Sequence, residues 1–232
     1  MNLINKAYGT ALRITFTVLN PLKKKVIKTQ CEVHKYLNNQ AINILLNEKK
    51  YDEYEYYKYF IQDINRGAVW ADQDFRSSNH FYNPYTEKGL YGRNNCKDLA
   101  LSYYDKSLRF IHKGNVPQGM FYLGATLHLL QDMTIPQHAN IRLLDDHRQY
   151  EQYIIRTYRY VKEYQADKGA YPLKSLENYM KFNGRVAMKV YNHYKTIKND
   201  EKRFKKIACC TLPLAERTSA GFMLLFYQKA IQ

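Results

Sequence analysis

The residues of this chain that can do chemistry are crowded together. The stretch HLLQDMTIPQHAN, residues 128 to 140, holds His128, Asp132, Pro136, His138 and Asn140 in a chain of 232 residues with seven histidines. On a helix, His128 and Asp132 stand one turn apart and project from the same face. Buried imidazole and carboxylate groups are costly unless something satisfies them. The partner is a metal, a hydrogen-bond network or solvent. Two donors at this spacing can hold one cation, in the way His pairs on a helix hold zinc. Pro136 then ends the helix, and His138 can turn back toward the same cleft.

Further donors lie on both sides. His147 and Glu151 repeat the step of four on the next helical stretch. Upstream, ADQDF supplies Asp72 and Asp74, SSNHFY supplies His80, and His34 lies on the first helical stretch. His112 and His193 read as ordinary surface positions. Taken singly, each motif has a plainer reading: a hydrogen-bonded His–Asp pair, a solvated helix face, or a turn or cap for the aspartates. The metal reading rests on their joint occurrence and order.

The elements that must position these groups are helical. Apolar residues recur at three- and four-residue steps over 27–48, and a Tyr- and acid-rich helical stretch follows over 51–65. Gly67 opens an expected irregular segment that runs to Asn95, rich in Gly, Pro, Asn and Ser; a loop of that length is usually functional. Helical periodicity returns over 96–114, with Gly114 as the stop, and from Pro117 to a point before Pro136. Three more helices are expected over 147–165, 173–194 and 201–228, the last bent or broken at Pro213. No alternating strand pattern of useful length occurs. The expected fold is all-α, a multi-helix bundle forming one domain over 27–232 after an apolar and basic segment at 1–26.

Bulk composition narrows the partners. Lys and Arg number 36 against 21 Asp and Glu, a formal charge of +15, which favours nucleic acid, anionic lipid or a phosphorylated small molecule. Cys31, Cys96, Cys209 and Cys210 fit neither a zinc ribbon nor a disulfide framework, and the adjacent pair is expected to be two small buried residues. Such usage suits a reducing compartment. The N-terminal apolar run is interrupted by Arg13 and lacks a small-residue cleavage site, and no stretch reaches the roughly 20 apolar residues of a membrane span. The expectation is a cytoplasmic or peripheral membrane protein without a recognisable signal peptide.

The motifs together carry a family resemblance. FYLGATLHLLQDMTIPQHAN resembles the signature of bacterial zinc-dependent phospholipases C: His, three residues, Asp, three residues, Pro, one residue, His, one residue, Asn. The remaining motifs follow in the family's order, with His34, the loop GAVWADQDF, His80, then His147 with Glu151. The resemblance spans about residues 28 to 151 and implies the helical phospholipase C/P1 nuclease fold. It also implies two or three zinc ions per chain. Asp72, His80, His128 and Asp132 would hold one, His138, His147 and Glu151 a second, and His34 with a bridging Asp132 the third. Asp72 would also orient or deprotonate the attacking water, with Asp74 an alternative to it as ligand. The implied reaction is hydrolysis of phospholipid to diacylglycerol and a phosphorylated headgroup by metal-activated water, with an anionic membrane surface as a further partner.

Three features depart from that family. Its secreted members mature to an N-terminal Trp that completes the third metal site, whereas the one Trp here is Trp70. The loop between Asp72 and His80 is short, and the chain is expected to be a catalytic domain without a membrane-binding β-sandwich. Two other functions compete: a single-strand nuclease of the S1/P1 kind, suited to the positive charge and the 23 tyrosines, and a zinc-binding module of weak catalytic power. Against the nuclease, Glu151 rather than Asp follows His147, and much of the Tyr falls at helical spacing, where core packing accounts for it.

Overall fold

The computed structural model describes residues 31–73, 79–90, 95–141 and 146–231. Every regular element among them is helical. In chain order these are α1 (Glu32–Asn47), α2 (Tyr51–Tyr59), α3 (Ile61–Ala71), α4 (Cys96–His112), α5 (Val116–Asp132), the single turn α6 (Pro136–Ala139), α7 (His147–Thr157), a 3-10 turn (Lys162–Tyr164), α8 (Leu176–Tyr194) and α9 (Asp200–Ala230). The all-α expectation holds. The segments 1–30 and 74–78 lie outside the described residues, and with them the N-terminal apolar and basic segment and Asp74.

Helix α5 is the axis of the bundle. From Leu123 to Asp132 every residue is buried, polar ones included, so the helix is enclosed on all sides and not amphipathic. Asn115 opens it by accepting a hydrogen bond from the Gln118 amide, with Pro117 in the first turn where a missing N–H costs nothing. Helices α3 and α4 pack along α5, while α1, α8 and α9 close the remaining sides.

The α3–α5 contact corrects one expectation. Gly67 does not open an irregular segment; the helix continues through it to Ala71. A β-carbon at Gly67 would stand 1.7 Å from the Phe121 carbonyl oxygen, and one at Gly124 would stand 1.8 Å from that of Ile64. Two glycines thus let the helix backbones touch, and their use is close packing, not chain reversal. The expected single helical stretch over 51–65 is in turn two helices, parted at Phe60. This places the end of α3, with Asp72 as its C-terminal cap, beside the last turns of α5.

Two other expectations change. Pro213 lies inside α9, which runs unbroken from Asp200 to Ala230. An interior proline costs a helix roughly 3 kcal/mol, and here Leu212, Leu214, Ala215 and Ala220 are buried on either side of it, so packing outweighs that cost. The stretch 147–165 is one helix to Thr157 and then a separate 3-10 turn. Many tyrosines are indeed core residues: Tyr57 donates to the Met223 carbonyl at 2.6 Å, Tyr150 pairs with Thr211 at 2.9 Å, and Tyr153 meets Tyr164 at 3.1 Å. Cys209 and Cys210 are half-buried, not buried, and all four cysteines are free.

Candidate metal centre

Five elements converge at the C-terminal end of α5. His128 and Asp132 come from its last turns, His34 from the first turn of α1, Asp72 from the end of α3, His138 from α6, and His147 with Glu151 from α7. His80 comes from the non-helical segment before α4. Pro136 does more than stop a helix. It starts α6, where its fixed backbone angle suits the first helical position, and that turn carries His138 inward. Asn140 closes the turn by donating from its side chain to the Pro136 carbonyl at 2.9 Å, so its part in the motif is to shape this turn.

Asp132 is the hub. Its Oδ2 lies 2.7 Å from His80 Nδ1, 3.3 Å from His128 Nε2 and 3.6 Å from His138 Nδ1, while its Oδ1 lies 3.4 Å from His34 Nε2. The His128 and His34 rings lie against each other with centroids 3.9 Å apart, tilted by 30°. On the outer side His138 Nε2 faces His147 Nε2 at 2.8 Å, and Glu151 Oε1 lies 3.0 Å from the latter. The eight predicted donors thus fall into three groups, each with its donor atoms within 4.8 Å of one another: His34, His128 and Asp132; Asp72, His80 and His128, which shares His128 with the first; and, separate from both, His138, His147 and Glu151.

The electrostatics suit a cation. Burial, reinforced by the neighbouring His128, lowers the pKa of His34 to about 4, and burial also lowers that of His80. Burial acts the same way on His128 and His138, but attraction to Asp132 outweighs it and raises both. Burial alone would raise Asp132, yet His128 and His138 hold it well below the carboxylate range. For Glu151 burial again opposes, and hydrogen bonds to His138 and His147 prevail, bringing it down to about 2. Ionised carboxylates amid imidazoles that one anion cannot all hold protonated form a donor set for metal.

Unsatisfied atoms make the same point. His80 Nε2, both ring nitrogens of His128, Asp132 Oδ2 and His138 Nδ1 are buried and have no hydrogen-bond partner, half of the ten such atoms among the described residues. The short approaches to Asp132 therefore lack the alignment of hydrogen bonds. Native interiors rarely leave polar atoms so, and a cluster of them needs an explanation. Lone pairs converging on common points suit zinc, which imidazole and carboxylate bind well.

One supporting residue was missed in the sequence. Gln131 Oε1 lies 2.8 Å from His34 Nδ1 and, as an acceptor, fixes the proton there and leaves Nε2 toward Asp132. The Gln131 amide donates to Asn38 at 2.9 Å and to Ser219 at 3.1 Å, and Asn38 donates to Asn65 at 3.0 Å. A glutamine next to Asp132 in an otherwise apolar run was the available signal. Trp70 packs in the core against Tyr103, Phe121 and Tyr122 and is not part of the centre.

A cavity of about 360 Å³ opens beside the centre. His34, Asp72 and Glu151 contribute its polar side, while Val33, Leu37, Ile135, Ile154 and Leu212 supply apolar walls.

The family model for zinc-dependent phospholipase C matches residues 33–207, most of the chain and every donor named above. The chain belongs to the zinc-dependent phospholipase C family. Solved structures agree on the fold. The alpha-toxin of Clostridium absonum superposes with a TM-score of 0.74 at 18% identity over 87% of this chain, and the alpha-toxin of an avian Clostridium perfringens strain with 0.72 at 16% over 88%. This chain covers only 64% and 65% of those toxins. A search of curated protein sequences finds no match. No helix among the described residues is long and apolar enough to cross a membrane.

Proposed function

We propose that this member of the zinc-dependent phospholipase C family is a phosphodiesterase that hydrolyses phospholipid to diacylglycerol and a phosphorylated headgroup. The observation that carries the reading is a donor cluster in which buried atoms of His80, His128, Asp132 and His138 have no hydrogen-bond partner, beside an apolar-walled cavity lined by its His34, Asp72 and Glu151. His34, Asp72, His80, His128, Asp132, His138, His147 and Glu151 would hold two or three zinc ions. Zinc there supplies Lewis acidity, which polarises phosphoryl oxygens and acidifies a water molecule.

The chain's own residues do the rest. Asp72 stands at the rim where the cluster meets the cavity, placed to orient or deprotonate the attacking water as general base. Asp132 holds the four imidazoles around it in fixed relation, and Gln131 sets the tautomer of His34. The apolar walls seat the acyl-proximal part of a lipid and keep water from the reacting phosphoryl group. A formal charge of +15 draws an anionic bilayer or headgroup, which suits a peripheral protein working at a membrane surface.

One assay panel tests this. Zinc-loaded protein is offered phospholipid vesicles, single-stranded DNA and single-stranded RNA, and products are separated. Release of phosphorylated headgroup with diacylglycerol is expected. Cleavage of nucleic acid alone would replace the reading by the S1/P1-type nuclease, and hydrolysis of none of them, with zinc bound, by a zinc-binding module without this activity.

A further inference from the structure

We propose that Asn38 and Asn65 are positioning residues that act through Gln131 to keep the His34 Nε2 lone pair free for a metal ion. This deepens the metal reading above and rests on it. Neither asparagine is itself a metal donor; both stand behind the cluster, in a row of side-chain amides that crosses the bundle. His34 Nδ1 donates to Gln131 Oε1 at 2.8 Å, Gln131 Nε2 on α5 donates to Asn38 Oδ1 at 2.9 Å, and Asn38 Nδ2 on α1 donates to Asn65 Oδ1 on α3 at 3.0 Å. Gln131 and Asn38 are 1% and 0% exposed, so water does not complete their bonding.

The row has a direction. A carboxamide offers hydrogens at one end and lone pairs at the other, so one amide turned over sets donor against donor unless its neighbours turn too. A neutral imidazole carries one hydrogen. In the direction observed that hydrogen lies on Nδ1, and Nε2 keeps its lone pair. In the reverse direction Gln131 would donate to Nδ1, the hydrogen would lie on Nε2, and His34 could not bind a metal there.

Two further contacts show why the asparagines are needed. Asp132 Oδ1 lies 3.4 Å from His34 Nε2 and attracts the ring hydrogen to that side, in competition with the row. Ser219, the other partner of Gln131 at 3.1 Å, has a hydroxyl that can donate or accept and so does not set the direction. The choice falls to Asn38 and, through it, to Asn65. The row is complete as it stands: no buried side-chain atom of Asn38, Gln131 or Ser219 lacks a partner, whereas His80, His128, Asp132 and His138 all have such atoms. The protein therefore orients His34 by its own hydrogen bonds and leaves the partnerless atoms for the ion. Outer partners of metal-binding histidines fix the tautomer in this way.

The test observes the His34 ring in the full chain without metal, by long-range proton–nitrogen correlation spectra at neutral pH, with its signals assigned by their absence in His34→Gln. We expect the Nδ1–H form in the wild type. Asn38→Leu and Asn65→Leu should shift the ring toward the Nε2–H form. Both should lower the affinity for one zinc ion per chain by about 10–100-fold, read by titration against a competing chelator, with the remaining ions held as before. Asn65→Asp, whose ionised side chain can only accept, should keep the wild-type tautomer and affinity, a rescue that a merely structural role would not produce. Circular dichroism checks folding, and because Asn65 is half-buried its variants carry the test if Asn38→Leu does not fold. An Nδ1–H ring in the leucine variants that fold, or wild-type zinc affinity in them, overturns the proposal and leaves the metal reading intact. A shift in Asn65→Asp as large as in Asn65→Leu also overturns it. A wild type that binds no zinc overturns both.

Discussion

Asp132 and Glu216 are both buried carboxylates, at 2% and 0% exposure, on long helices of the same bundle, and the fold treats them oppositely. Four histidine nitrogens lie within 3.6 Å of Asp132 and hold it ionised. Glu216 has a single close donor, the Ala166 amide at 2.6 Å, and its other oxygen is partnerless. Burial there prevails, and its pKa rises to about 8. Burial alone therefore does not mark a functional acid. The partners decide, because a buried carboxylate stays charged only where positive or polarisable groups replace its lost hydration. Glu151 stands between the two, half-exposed but drawn to about 2 by His138 and His147.

The contrast can be broken most forcefully at Asp132. Asp132→Asn keeps the shape but removes the shared charge. Metal content should fall across the whole cluster, with affinity reduced by more than the roughly 10–100-fold cost of losing an outer-shell partner, and hydrolysis should fall with it. Elemental analysis alongside circular dichroism checks this; a helical protein with full zinc content would remove Asp132 from its central place. Glu151→Gln should act more locally, costing about one ion per chain at the outer group and leaving the others bound, as titration with zinc and a competing chelator would show.

Gln131→Leu touches no proposed donor atom for the metal but deletes the acceptor that orients His34. Zinc affinity at that position should drop by about 10–100-fold, with the outer ion unaffected. The smallest effect belongs to Glu216→Gln, which should keep metal content and activity. Its signature is in stability against pH. The folded protein holds a proton on Glu216 that the unfolded chain releases above the ordinary value of 4.5, so wild-type stability falls relative to the variant as pH rises from there to about 8, then levels off. The slope of the difference is at most about 1.4 kcal/mol per pH unit. Urea unfolding of both metal-free proteins at several pH values measures it, and a difference independent of pH would mean that Glu216 is ionised throughout.

Much of the molecule was legible in the chain itself. Helical periodicity marked most of the helices, because apolar residues at three- and four-residue steps have no other economical burial. The spacing of His128, Asp132, Pro136 and His138 singled out one end of one helix. What local pattern could not say was which breakers would break. Gly67 and Pro213 both read as interruptions, and both lie within continuous helices, because what they gain or lose depends on the helix packed against them.

The sequence by itself determined the helical class, the donor types and their order along the chain, since these follow from side-chain chemistry and periodicity. Only the tertiary structure decided that residues from 34 to 151 meet around Asp132 and that Gln131 orients His34. The physical reason is that convergence is set by helix packing. Glycine contacts between α3 and α5, and the turn begun by Pro136, fix distances that no spacing along the chain encodes.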